Sequence, residues 1–445
     1  MWLRKGKNMK KKNLLLIALA AMTLASCGQE SGGPDDGSDT ESETLTLQIY
    51  AGGYGTAPWK YALKKFEAAH PEYKVVANMD NNVNKAFEDR WMNGNPPDFV
   101  FLDGTIATNT WLAEGLLEDL SGWLETAKAP GEEGYIKDKV NAAYWRKYTD
   151  SSKKTITYGA PLLLNAYGMW YDETLFAEKG WTMPSNFEGL KAFAGKATKD
   201  IKTLIYPGVY SGYLVQGMLV PAFAEYGETF FKRVMNCEDA DVYTSKEFKE
   251  VMNRFNDFVN LNDNIVADCL SLNHTESQQE WLKHKAAMIP NGLWLRSEMD
   301  KLHAIPDGFN MRYAPSPLVK EKQTIVSTSV TCGIAKQAKN KVGAKKFLAS
   351  LYNDDVLKQF VYASDSPSVA PLDLSDDPNI TDVNKYVQTV FNDSKYQHMS
   401  NDGSWGDVDA AINSAVNSLV KKSTNVDAAC EAIKAAAVKT IKDRQ

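Results

Sequence analysis

The stretch "GLWLRSEM", Gly292 to Met299, places Trp294 two residues after a glycine at what reads as a strand-to-helix turn. An indole there either folds back into a core or stands out as a flat apolar platform with one N–H at its edge. A second run, "YPGVYSGYL", sets Tyr206, Tyr210 and Tyr213 around Pro207, Gly208 and Gly212. Three phenols in a glycine-broken segment are poor core material, because each buried hydroxyl needs a partner. They suit a surface that combines stacking with hydrogen bonding, or else an aromatic loop packed on a helix. "GSWGD" repeats the opening arrangement with Trp405 in a glycine-flanked turn. "AGGYGTAPW" puts Tyr54 just past the first strand, at the strand end where parallel sheets meet their ligands. Asp103 follows the third strand and would accept two ligand hydroxyls there, or cap the next helix through "DGT".

Other chemistries find little support. There is no HExxH and no GxSxG, and the five histidines are scattered, so no cofactor and no metal are expected. "GLKAFAGKAT" has its glycines one residue too far apart for a phosphate loop, and Ala197 replaces the hydroxyl residue. "DNNVNK" opens like a calcium loop, but Lys85 takes the glycine position and Trp91 the glutamate position. A pair of carboxylates for glycoside hydrolysis stays open, because such partners need not be adjacent in sequence. A net charge of −6, with no long basic stripe beyond the first dozen residues, argues against nucleic acid as a partner.

The elements that must position these residues read as α/β. "LTLQIYAGG" alternates as a strand, and Trp59, Ala62, Leu63 and Phe66 then fall at helical spacing until Pro71. "YKVVAN" is a second strand, "KAFEDRWMNG" a helix and "FVFLD" a third, buried strand. Strand, helix, strand, helix, strand implies a parallel sheet with crossover helices. "STSVTCGIAK" is strand-like, Ala344, Phe347, Leu348 and Leu351 mark a helix after it, and Ala429, Ile433 and Ala437 lie on one face of the last helix. With 445 residues the chain has room for one large or two medium domains.

The N-terminus has a basic start, an apolar run from Leu14 to Ala21, then small residues and Cys27. That run is too short for a permanent span and fits an export signal over residues 1–26, with Met9 as an alternative start. "LASC" resembles the lipobox of bacterial lipoproteins, which implies a lipidated Cys27 and attachment to the outer face of the cell membrane. Residues 27–43 then form a tether rich in Gly, Ser, Asp and Glu. Cys237, Cys269, Cys332 and Cys430 could pair in three ways or remain free.

Four segments carry a wider resemblance: "NGNPPDFVFLDG", "YGAPLLLNAYGMWYDETLFAEKGWTMPSNFEGL", "HKAAMIPNGLWLRSEM" and "GIAKQAKNKVGAKKFLASL". In this order they resemble the extracellular solute-binding proteins of carbohydrate ABC transporters, the group that includes maltose-binding protein. The resemblance implies two α/β lobes with a ligand cleft between them. It divides the chain into 44–160 plus 318–365 and 161–317 plus 366–445, with hinge crossings near Pro161, Pro317 and Ser366. It implies a monomer that binds a carbohydrate and serves a permease, without catalysis. It places the family's stacking tryptophan on Trp294, whose ring would cover a sugar's C–H face. "YPGVYSGY" and "GSWGD" look more like the N-acetylglucosamine and chitobiose branch than the maltose branch. A secreted glycoside hydrolase and a binder of non-sugar solutes are the alternatives.

Overall fold

The computed structural model describes residues 41–102, 106, 108–150, 152–197, 201–401, 405 and 407–444. The export signal, Cys27 and Asp103 lie outside the described residues.

The first strands form where the sequence alternates or runs apolar. β1 (Thr44–Tyr50) pairs in parallel with β2 (Lys74–Asp80) and with β3 (Phe99–Phe101). The helix Ala57–Ala69 crosses between β1 and β2 and buries Trp59, Ala62, Leu63 and Phe66, as their spacing requires. β4 (Arg146–Thr149) pairs antiparallel with β5 (Thr155–Asp172), and β5 runs on for 18 residues. Across the rest of the fold come β6 (Lys202–Leu204), β7 (Ala286–Gly292), β8 (Met311–Ala314), β9 (Thr324–Ile334) and β10 (Gln397–Ser400).

β5 and β9 are the long elements. They pair with each other in antiparallel fashion, β9 also takes β3, and β5 also takes β7 and β8. One continuous strand path, β2-β1-β3-β9-β5-β7-β6, therefore runs through two separate hydrophobic cores. The first core holds residues from Leu45 to Leu164 and from Val330 to Ile380, and the second holds Ala166 to Val326 and Val383 to Ala437. Along the chain the core changes at Leu164/Ala166, at Val326/Val330 and at Ile380/Val383. Leu318, Val319 and Ile325 pack in the second core and Val369 and Ala370 in the first.

Cys237, Cys269, Cys332 and Cys430 are all buried and free. Among the described residues no helix is long and apolar enough to cross a membrane.

Candidate functional site

At the turn from β7 into the helix Leu295–Lys301, Leu293 and Leu295 are both fully buried in the second core. Each contributes about 1.5–3 kcal/mol by leaving water, and together they fix the turn on either side of Trp294. The indole is left half-buried, lining a cavity of about 970 Å³. Gly292 is required by close approach, since a Cβ there would lie 2.3 Å from the Trp294 ring. The ring rests on bare backbone, so it stands out without swinging freely.

Around it the cavity wall is aromatic. Tyr167 meets Trp294 edge to face at 5.2 Å between centroids, and Tyr213 does so at 5.8 Å. Tyr210 packs on Tyr213, and the ring of His274 sits 4.7 Å from that of Tyr213. Burial raises the pKa of both Tyr210 and Tyr213, keeping the phenols neutral and available as donors. Tyr210 lies beside Gly212, where an added Cβ would come within 2.7 Å of the phenol ring. Two of the wall's aromatic rings therefore lie on a glycine two positions away.

The opposite wall belongs to the first core. The loop after β1, Tyr50 to Gly55, lines the cavity at the carboxyl end of a parallel strand. Tyr54 reaches the cavity from a largely buried position, edge to face with Phe101. Gly53 links the two walls, because its carbonyl accepts from Ser297 Oγ at 3.3 Å and from Lys301 Nζ. The floor is the crossing ribbon itself, with Asn165 of β5 opposite Thr328 of β9.

Two polar atoms of this cavity are buried without a hydrogen-bond partner among the described residues: Asn165 Oδ1 and His274 Nε2. Polar groups of this kind cost free energy when unpaired and reward a ligand that pairs them. His274 opens the helix His274–Leu282 behind a capping box made by Asn273 and Glu276, which fixes where its ring points. Burial lowers its pKa, outweighing the nearby Glu298 carboxylate, so the ring is neutral near pH 7. Glu298 accepts from Gln278 and is the one carboxylate among the described lining residues.

The structure thus gathers Trp294, Tyr54, Tyr210 and Tyr213 at one cavity and leaves two other candidates outside it. Tyr206 is fully buried in the second core, with its hydroxyl donating to Asn417 at 3.0 Å. It anchors the segment that presents Tyr210 and Tyr213, with help from the Ser211 hydroxyl donating to the Asn413 carbonyl. Trp405 is likewise packed in the second core, with its Nε1 buried and without a hydrogen-bond partner among the described residues. Both placements have one cause: a glycine-flanked aromatic can turn inward when a hydrophobic core is within reach. Asn165, Tyr167 and His274 escaped the sequence reading. An Asn inside the apolar run "PLLLNAYGMW" and an "NHTE" capping box were their only signals.

Residues 52–358 match the family model of the bacterial extracellular solute-binding protein. The diacetylchitobiose-binding protein NgcE of Streptomyces coelicolor is 23% identical over 350 residues, 77% of this chain and 72% of that protein. A multiple sugar-binding protein of Streptococcus mutans is 20% identical across 93% of this chain and 94% of its own length. A probable secreted solute-binding lipoprotein from Streptomyces coelicolor has the same fold, with a TM-score of 0.69, 16% identity, and coverage of 90% of this chain and 99% of its own.

Proposed function

The chain belongs to the bacterial extracellular solute-binding protein family, and on that premise we propose that its cleft captures a neutral oligosaccharide for an ABC transporter permease. The observation that carries the reading is the joined aromatic wall of Trp294, Tyr167, Tyr213 and Tyr210, which offers flat apolar faces edged with donors. Sugar rings present C–H faces to such a wall while their hydroxyls reach polar groups at its margin. Asn165 Oδ1 would accept from a ligand O–H or N–H, and His274 would pair with a hydroxyl or acetamido group. The relative that binds diacetylchitobiose favours an N-acetylglucosamine-type ligand. Asp103, next to the cleft in sequence after β3, is assigned to the same ligand as an acceptor of hydroxyls.

No bond is made or broken. Closure of the two lobes about their three crossings presents the loaded form to the permease, since only the closed form contacts the sugar from both sides. The protein works as a monomer on the outer face of the membrane, held by a lipid on Cys27. In that case Cys27→Ala leaves the membrane fraction, and a variant that stays bound in high salt removes the anchor from the account.

A panel of neutral sugars, read by thermal shift and by chromatography of the recovered sugar, tests the reading. The expected result is a raised midpoint with N-acetylglucosamine oligomers and their recovery intact. Cleaved sugar would transfer the protein to the hydrolases, and a flat panel to the binders of non-sugar solutes.

A further inference from the structure

A second cavity, of about 500 Å³, lies behind the crossing strands. Asn165 and Thr328 pair across β5 and β9 and line the cleft, whereas their neighbours Leu164 and Ser327 line the second cavity. The ribbon of β5 and β9 therefore contributes wall residues to both cavities. The other walls come from both cores: Val369 and Ala370 from the first, Phe391 and Met399 packed on the second.

The chemistry of this cavity differs from that of the cleft. Among the described residues it has no Asp, Glu, Lys or Arg on its lining. The one histidine among its described lining residues, His398, is exposed along one side, and partial desolvation lowers its pKa, so it is neutral near pH 7. Gln388, on the helix Asp382–Asn392, has its Nε2 buried with no hydrogen-bond partner among the described residues. An amide N–H left in this state is an unused donor for whatever enters.

We propose that this rear cavity is a second small-molecule site, taking an uncharged molecule that offers a carbonyl or hydroxyl oxygen to Gln388 and apolar surface to Phe391 and Val369, and that its occupant tightens binding in the cleft. The direction follows from the geometry. Ser297 and Lys301 hold Gly53 across the cleft, so the rear cavity belongs to a state with the front walls together. Swinging the lobes apart in front, about a ribbon that lines both cavities, brings the rear walls toward each other. An occupant of the rear cavity resists that swing and raises the population able to hold sugar. Linkage makes the effect mutual, so sugar in the cleft tightens the rear occupant by the same factor. The coupling rests on the lobe closure proposed above; the rear site itself does not.

The test uses N,N-dimethylacetamide as a neutral oxygen acceptor, with acetate and tetramethylammonium as charged counterparts. Nuclear magnetic resonance titration of the chain should show the amide perturbing Gln388 and His398 while neither ion does. Gln388→Leu should weaken that response about fivefold or more, the loss of one buried hydrogen bond. Asn392→Trp, which adds bulk at the exposed edge of the cavity from the end of its helix, should tighten cleft binding of di-N-acetylchitobiose about three- to tenfold by raising the closed fraction. An amide that leaves Gln388 and His398 unmoved, or binds as well after Gln388→Leu, or no better than the ions, overturns the site. Cleft affinity that stays fixed or falls in Asn392→Trp overturns the coupling. Should no sugar bind the cleft at all, the amide titration still decides the rear site by itself.

Discussion

Trp294 owes its position to residues that do not line the cavity. Leu293 and Leu295 sink into the core on either side of it, and Gly292 leaves room for the ring against the backbone. Gly292→Ala should therefore displace the indole while sparing both leucines. Cleft affinity should fall about tenfold, the loss of part of an aromatic anchor, with the indole's near-ultraviolet circular dichroism altered. Unchanged affinity would mean that the ring need not lie where it does. His274 carries a second prediction. Its folded pKa is lowered by burial, so the unfolded chain takes up the proton first as pH falls. The stability tied to a neutral His274 is fully present above its unfolded value of about 6.5 and declines as pH falls below it. Sugar affinity should weaken at lower pH still, as the folded ring itself takes up the proton, because an occupant buries the ring further. His274→Gln should flatten the acid limb of an affinity-against-pH profile; a limb that persists unchanged assigns it to another group. At this scale Trp294 was legible because its neighbours set a turn. Tyr206 was not, since a phenol with Asn417 waiting in the core looks the same in sequence as one facing solvent.

The helix Leu295–Lys301 is the element on which the two halves of the cleft meet. Lys301 and Ser297 reach the Gly53 carbonyl, and Arg296 grips Asp365 through Nε at 2.8 and 3.1 Å. Asp365 is fully buried and also accepts from Thr381, and desolvation still raises its pKa despite the guanidinium. Such a pair tolerates the loss of both members better than the loss of one, because the survivor stays buried. Arg296→Met should cost about 3–5 kcal/mol of folding stability, the range for an orphaned buried charge. The double variant Arg296→Met with Asp365→Asn should recover much of that loss in urea unfolding. A single variant that unfolds like the parent chain would make the pair a surface ornament. Elements with a strong local period were legible: the helix Ala57–Ala69, the buried β3 and the last helix all carry their burial pattern in the sequence. The 18-residue β5 and its antiparallel partnership with β9 were not. Pairing between segments more than 150 residues apart leaves no mark on the pattern of either one.

For the whole molecule, the two-lobed fold was reached through four ordered segments, none of which specifies it alone. What the sequence left out is where the lobes exchange the chain. Those points are set by which core a side chain joins, a property of the folded state, as Leu318 and Val369 illustrate. The site depends on this exchange, because Asn165 and Thr328 line the floor of the cleft only where β5 and β9 pass between cores. The central claim is that this cleft holds a sugar against the Trp294 wall. Calorimetric titration of di-N-acetylchitobiose into the parent chain and into Trp294→Ala, with each unfolding midpoint recorded, tests it most directly. Saturable binding should weaken about ten- to more than a hundredfold in the variant, the loss of about 1–3 kcal/mol from a buried aromatic anchor, while the midpoint stays close to the parent value. Equal affinity in the two proteins, or a variant that unfolds easily yet binds normally, would contradict the account and make Trp294 a packing residue.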